Sequence, residues 1–226
     1  MSPSVSVMMP VLVNEPWQLA MTQCAIKTLR CTTDHQFELV IAHAPTEYTD
    51  LIAEIGDIVR EKVIPTVTGT PNADCNKGLD ACTGDIVVYT GNDVFVRPGW
   101  LEALLECFEI EDCGAATLGN AELKHVPMPR IMEGVYGPFM AFRQDWRFDA
   151  ETFPCQFGDT DLIMRIYESG KRMYRNHKVV IHHLLRQTVG GEANDKDFLA
   201  ARDRFIRKHG DSNLLMYRAL SEGWGI

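Results

Sequence analysis

The first 95 residues alternate short apolar runs with amphipathic stretches. Ser4 to Met9 is a strand-forming run that Pro10 stops, and Glu15 to Arg30 repeats apolar positions at helical spacing through Trp17, Ala20, Met21, Cys24, Ile26 and Leu29. Phe37 to Ala42 reads as a second strand, Thr49 to Glu61 as a helix and Lys62 to Ile64 as a third strand. Ala73 to Cys82 is again helical, and Asp85 to Thr90 is the fourth and most apolar strand. A β-α-β-α-β-α-β order predicts an α/β fold, with parallel strands joined by right-handed crossovers and helices on both faces.

The regularity breaks after a polar tip, Gly91-Asn92-Asp93. Pro98-Gly99 turns the chain into an amphipathic helix from Trp100 to Phe108, and Ala115 to Leu118 and Val135 to Phe142 read as strands. The Gly119–Gly134 stretch between them contains Pro127 and Pro129 and is expected to be a loop over the site. Asp159 to Ser169 has helical periodicity through Leu162, Ile163 and Ile166. Lys178 to Ile181 reads as a strand ending in His182-His183, and Lys196 to His209 as a last helix before a mixed tail.

Composition narrows the setting. The 226 residues are 46% hydrophobic, enough for a full core. The apolar runs are far shorter than the roughly 20 residues that cross a bilayer, and Met1-Ser2-Pro3-Ser4 offers no signal-peptide pattern, so a soluble cytoplasmic protein is expected. Seven cysteines, odd in number and without a Cys-x-x-Cys pair, argue against a disulfide framework or a thiolate zinc site. The net charge of −9 is uneven. Residues 1–161 carry 10 Lys/Arg against 24 Asp/Glu, whereas residues 162–226 carry 12 against 7. The basic part, with Arg202, Arg204, Arg207 and Lys208 on one helix, is either a solvated face or a phosphate-meeting surface.

The carboxyl ends of the strands are where open α/β sheets bind ligands. Asp93, beside Asn92 at the tip of the most apolar strand, offers oxygen ligands for a divalent cation or a cation-bound diphosphate, although Asn-Asp after a strand is also a common turn. Asp159 opens a helix, where orphan N–H groups favour a negative charge, and can serve as a cap or as a proton acceptor. A nucleotidyltransferase is disfavoured, because Val11 to Pro16 holds no glycine for a phosphate loop.

In order and spacing, residues 4–185 resemble the family 2 glycosyltransferases. The N-terminal likeness lies in Pro10, Asn14 and Glu15, then Asn76-Lys77-Gly78 leading to Ala81 and Gly84, then Asn92-Asp93 followed by Pro98-Gly99-Trp100-Leu101. The acceptor half follows in Gly137 to Arg143, in Gly158-Asp159-Thr160-Asp161-Leu162 with Arg165, and in His182-His183. The resemblance implies a GT-A fold: one Rossmann-like, mostly parallel sheet flanked by helices, with a smaller acceptor-side mixed sheet. It divides a single domain into a nucleotide-sugar half (1–95), an acceptor half (96–185) and a C-terminal helical extension (186–226).

The resemblance also implies an inverting transfer from a nucleotide sugar, a UDP-linked sugar foremost, to an acceptor hydroxyl, assisted by Mn²⁺ or Mg²⁺. Asp93 would hold the ion. Asp159 would be the general base, with Asp161 in reserve and Arg165 supporting the acceptor side. Pro10, Asn14, Glu15, His43, Asn76 and Asn92 would contact the donor. Of the two histidines, His182 is preferred as a further ligand, on the reasoning that Val180 shares its face of the strand. Four positions depart from the family pattern: Gly91 and Gly158 replace acidic residues, His43-Ala44 stands where an Asp is usual, and Cys75 replaces an Arg. With fewer acidic ligands, the ion is expected to bind loosely and only with the donor. Two other functions fit the same residues: glycosylation of hydroxymethylated pyrimidine in DNA, and non-catalytic nucleotide-sugar binding.

Overall fold

The computed structural model describes residues 3–43, 46–48, 50, 62–65, 70–120, 130–184 and 195–222; all but residue 50 of the helix expected over 49–61, and the loop residues 121–129, lie outside this set. Four parallel strands form one half of the sheet in the order β3-β2-β1-β4: β1 (Val5–Val11), β2 (Glu38–His43), β3 (Lys62–Pro65) and β4 (Ile86–Thr90). β1 and β4 are almost continuously apolar because both of their faces are covered. Val7, Met9 and Val88 face α1 (Pro16–Cys31) and the later helix α3 (Trp100–Cys107). Met8, Val40 and Val87 face α2 (Pro71–Ala81). Pro10 does not stop β1 as expected. It lies two residues past Met8, the last partner of β4, where β1 has only β2 beside it.

The mixed half continues the sheet from β4. β8 (Phe139–Arg143) pairs antiparallel to β4 and β6 (Cys113–Asn120), and β9 (Arg172–His183) runs parallel to β6. Short β7 (Ile131–Glu133) and β5 (Val94–Phe95) both pair antiparallel to β9. The strand expected over Val135–Phe142 is therefore shorter, because Gly137-Pro138 forms a turn before it. β9 is longer than expected. Its first half is polar in sequence yet holds Arg175 and Asn176 fully buried, Asn176 donating to Ala103 O at 2.9 Å and Glu106 Oε2 at 3.0 Å.

Helix α4 (Gly158–Glu168) covers the face of the sheet that α2 covers, through Leu162, Ile163 and Ile166. Behind it pack α5 (Asp195–His209) and α6 (Asp211–Glu222), joined at Gly210, whose φ of 88° suits glycine. The tail is thus a second helix, not an irregular segment. Phe205 and Leu214 meet Met164 and Phe153 in a small apolar cluster.

Asp161 is the polar pin of this layer. Its side chain is completely buried and takes Arg165 Nε at 2.8 Å, Lys208 Nζ at 2.6 Å and His209 Nε2 at 2.8 Å. Lys208 also reaches Asp149 at 2.8 Å. Burial alone would raise the Asp149 carboxyl, but Lys208 and Thr152 outweigh it and bring it down to about 2. His209 Nδ1 lies 2.7 Å from Glu168. Removing one member of such a buried set strands the remaining charges, at a cost of about 3–5 kcal/mol. Asp161→Ala is expected to lower the melting temperature by on the order of 10 °C, measured by calorimetry. A variant that melts with the wild type would remove Asp161 from this structural role.

Candidate active site

Parallel pairing carries the ends of β1, β2 and β4 to one edge. His43 closes β2 in register with Val11 and Pro65 and is nearly fully buried. Asn14 and Glu15 are exposed just beyond β1. Glu15 caps α1 in a reciprocal capping box with Gln18, whose Oε1 accepts from the backbone N–H of Asn14 at 2.7 Å and of Glu15 at 3.2 Å. At the end of β4 the Asn92 amide turns inward and donates to Thr22 Oγ1 of α1 at 2.8 Å, so it fixes a helix to the tip. Asn76, expected to contact the donor, has its amide committed elsewhere. It donates to Phe148 O at 2.9 Å and accepts from Phe148 N at 2.8 Å.

Asp93 turns the other way from Asn92, and β9 meets it there. Its carbonyl accepts from Leu184 N at 2.9 Å, and its Oδ2 lies 3.2 Å from His183 Nε2. The histidine beside Asp93 is thus His183, not His182. The buried face of β9 runs through Val179, Ile181 and His183, whereas Val180 is only partly buried, so the assignment of faces that favoured His182 was inverted. His182 lies 2.9 Å from the exposed Arg97.

Asp159 is the second residue of α4, not its N-cap; that place belongs to Phe157, held at a φ of 65°. Its Oδ1 accepts from Thr160 N at 2.8 Å. Burial raises its carboxyl pKa, against the lowering effect of the Thr160 hydrogen bonds. The loop before it is clamped by α2. Asn72 donates to Phe153 O at 2.5 Å and Cys155 O at 3.1 Å, and a Cβ on Gly158 would overlap the Asn72 amide. Tyr89 relates the two carboxylates: burial, then Cys75, Asp159 and Asp93, push its hydroxyl well above the ordinary range. On the far side lies Tyr217 of α6; burial first, then Asp159, push its hydroxyl well above the ordinary range.

The structure thus brings Asp93, Asp159 and Tyr89 into one electrostatic neighbourhood, with His43, Asn14 and Glu15 along the same sheet edge. It withdraws Asp161, Arg165, Asn76 and Asn92 into the scaffold; Arg165 spends its guanidinium on Asp161 and on Arg147 O, at 2.6 Å. Tyr89 and Tyr136 were not foreseen, and His183 was the less favoured of the two histidines. Gly-Pro within an apparent strand was the one available signal for the turn that presents Tyr136. Of the four C-terminal cations, Lys208 is engaged as above and Arg202 pairs with Asp203 at 2.9 Å. All seven cysteines are free; Cys75, Cys82, Cys107 and Cys113 are buried, as expected of small apolar side chains, and Cys24, Cys31 and Cys155 are exposed. Among the described residues, no helix is long and apolar enough to cross a membrane.

The model of the family described as Glycosyl transferase family 2 matches residues 25–167. No curated protein sequence matches the chain. Among solved structures, S. aureus TarS 1–349 in complex with UDP-GlcNAc aligns with a TM-score of 0.67 at 14% identity, covering 98% of this chain and 73% of that one. The longer S. aureus TarS structure aligns at 0.66 with 16% identity, covering 95% of this chain and 43% of that one. These similarities agree with the observed sheet in assigning the GT-A fold. With the family model matching well over half of its length, the chain belongs to glycosyl transferase family 2.

Proposed function

We propose that the protein transfers one sugar, with inversion, from a nucleoside diphosphate sugar, UDP-linked in the first instance, to a hydroxyl of an acceptor. The observation that carries this reading is the placement of Asp93 and His183 at the β4 tip, with Asp159 acting on the same tyrosine as Asp93. The TarS complexes with UDP-GlcNAc and UDP support the donor class.

A divalent ion fits the donor set. One carboxylate oxygen and one imidazole nitrogen converge within 3.2 Å, a combination suited to Mn²⁺ and acceptable to Mg²⁺. No group of three or more acidic, histidine or cysteine ligands occurs among the described residues; Asp93 and His183 are the pair that would hold the ion, together with the donor's diphosphate. When bound, the ion would neutralise charge on the departing diphosphate. Asp159 takes the proton of the acceptor hydroxyl as its oxygen bonds to the anomeric carbon. The bond from that carbon to the diphosphate oxygen breaks, and its electron pair leaves with the diphosphate. Asn14, Glu15 and His43 border the end of the edge where the nucleoside would lie.

A thermal-shift screen of nucleotide sugars with Mn²⁺ tests the donor. A true donor at a hundredfold its Kd stabilises by about 2.7 kcal/mol, a shift of roughly 5–10 °C, and UDP sugars are expected to give it. Asp93→Ala is expected to abolish transfer while keeping the wild-type circular dichroism. Full activity in excess chelator would remove the metal role.

Asp159→Asn is expected to lower kcat by roughly 10²-fold or more. The raised carboxyl has a matching consequence for stability. Between the ordinary aspartate value and the higher native one, the folded protein binds the extra proton and stability falls as pH rises, so ionised Asp159 is a net cost near neutrality. The Asn variant should therefore melt at or above the wild-type temperature at pH 7. For the same reason the acid limb of the wild-type kcat profile should lie above the ordinary aspartate value of 3.8. An Asn variant with normal turnover would leave Asp159 a structural role only.

A further inference from the structure

The turn between β7 and β8 touches both ends of the proposed chemistry. It is itself tightly held. Gly134 N donates to Met173 O at 3.1 Å, Arg175 Nη2 donates to Val135 O, and Phe139 N donates to Tyr136 O at 3.1 Å. Pro138 O accepts from Gly91 N at 3.1 Å, which ties the turn to the β4 tip.

From this frame Tyr136 extends to His183. Its hydroxyl lies 2.8 Å from Nδ1, on the ring nitrogen opposite the one that faces Asp93, and the two rings pack edge to face with centroids 5.9 Å apart. Gly137, the next residue, lies against the other functional group. All three of the nearest atoms to a Cβ built there belong to Asp159: Oδ2 would overlap it, Cγ would stand at 2.7 Å and Cβ at 3.2 Å. The Asp159 carboxylate thus occupies the space that any other side chain at 137 would need. Gly137 is not in the left-handed region, so the space, and not the backbone angle, demands glycine.

We propose that Tyr136-Gly137 is a positioning element that sets the metal-side His183 and the base Asp159 in one rigid frame. Tyr136 fixes the ring of His183 from behind, and Gly137 provides the floor on which the Asp159 carboxylate rests. The proposal builds on the metal and base roles given above. Groups that orient a ligating histidine typically change metal affinity 10- to 100-fold when removed. Displacing a catalytic group by about 1 Å costs on the order of 10²-fold in rate.

The test separates the two residues. Mn²⁺ affinity is measured by electron paramagnetic resonance with UDP present, and kcat from hydrolysis of a UDP sugar at saturating Mn²⁺. Tyr136→Phe keeps the ring and is expected to weaken Mn²⁺ at least about 10-fold, with kcat at saturating Mn²⁺ within about twofold. Gly137→Ala is expected to do the reverse: Mn²⁺ and UDP affinities stay within about twofold and kcat falls on the order of 10²-fold. Unchanged values in both variants, or losses of both quantities in each, would overturn the proposal. A wild type that binds no Mn²⁺ with UDP would overturn the metal reading and the Tyr136 role with it. A wild type that binds Mn²⁺, with Tyr136→Phe binding it equally well, overturns the positioning role alone.

Stability gives an independent check on Gly137. Its replacement by Ala should lower the melting temperature less in an Asp159→Ala background than in the wild type, because the obstructing carboxylate is gone. An equal loss in both backgrounds would place the clash elsewhere and refute the floor role.

Discussion

Everything at the site depends on the junction where the β4 tip meets the end of β9. Asp93 gives its carbonyl to Leu184 N and sets its carboxylate beside His183, while Val94 and Phe95 pair with His183 and His182. The parallel half of the sheet supplies the acid and the mixed half supplies the imidazole. A short antiparallel contact of two residues therefore joins the segment that follows the parallel strands to the last strand of the mixed half. If β9 shifted by one residue, the opposite face would turn to Asp93 and His182 would replace His183.

The second dependence runs through α4. Asp159 stands at a helix terminus whose approach loop is clamped from one side by Asn72 and Asn76, four residues apart on α2. From the other side, α5 and α6 hold the helix through Asp161, Lys208, His209 and the Phe205 cluster. Two neighbouring carboxylates of one motif thus have different surroundings. Asp161 is sealed among cations and is structural. Asp159, two positions earlier, has a carboxyl raised by burial and rests against Gly137.

The parallel half of the fold was legible in the sequence because burial on both faces leaves long apolar runs, and the turn residues between them are polar. The places of Asp93 and Asp159 in the fold were legible as well, each standing where an apolar element begins or ends. What stayed hidden is polarity satisfied at a distance. The start of β9 reads as a polar loop because Arg175 and Asn176 find their partners on Val135, Ala103 and Glu106, far along the chain. Asp161 looks like a spare base until residues 47 and 48 positions later are seen to enclose it. Asn76 resembles a donor contact until the Phe148 backbone takes its amide. The facing of the histidine pair failed for a subtler reason: partial burial of Val180 cannot be told from full burial of Ile181 by residue type alone.

The most direct test of the account is the place of the metal. A crystal grown with Mn²⁺ and UDP should show an anomalous manganese peak within coordinating distance of both Asp93 and His183, with the diphosphate on the same ion and Asp159 facing the space beyond it. A manganese peak bound away from the Asp93–His183 pair, or a diphosphate lodged elsewhere on the sheet edge, would contradict it.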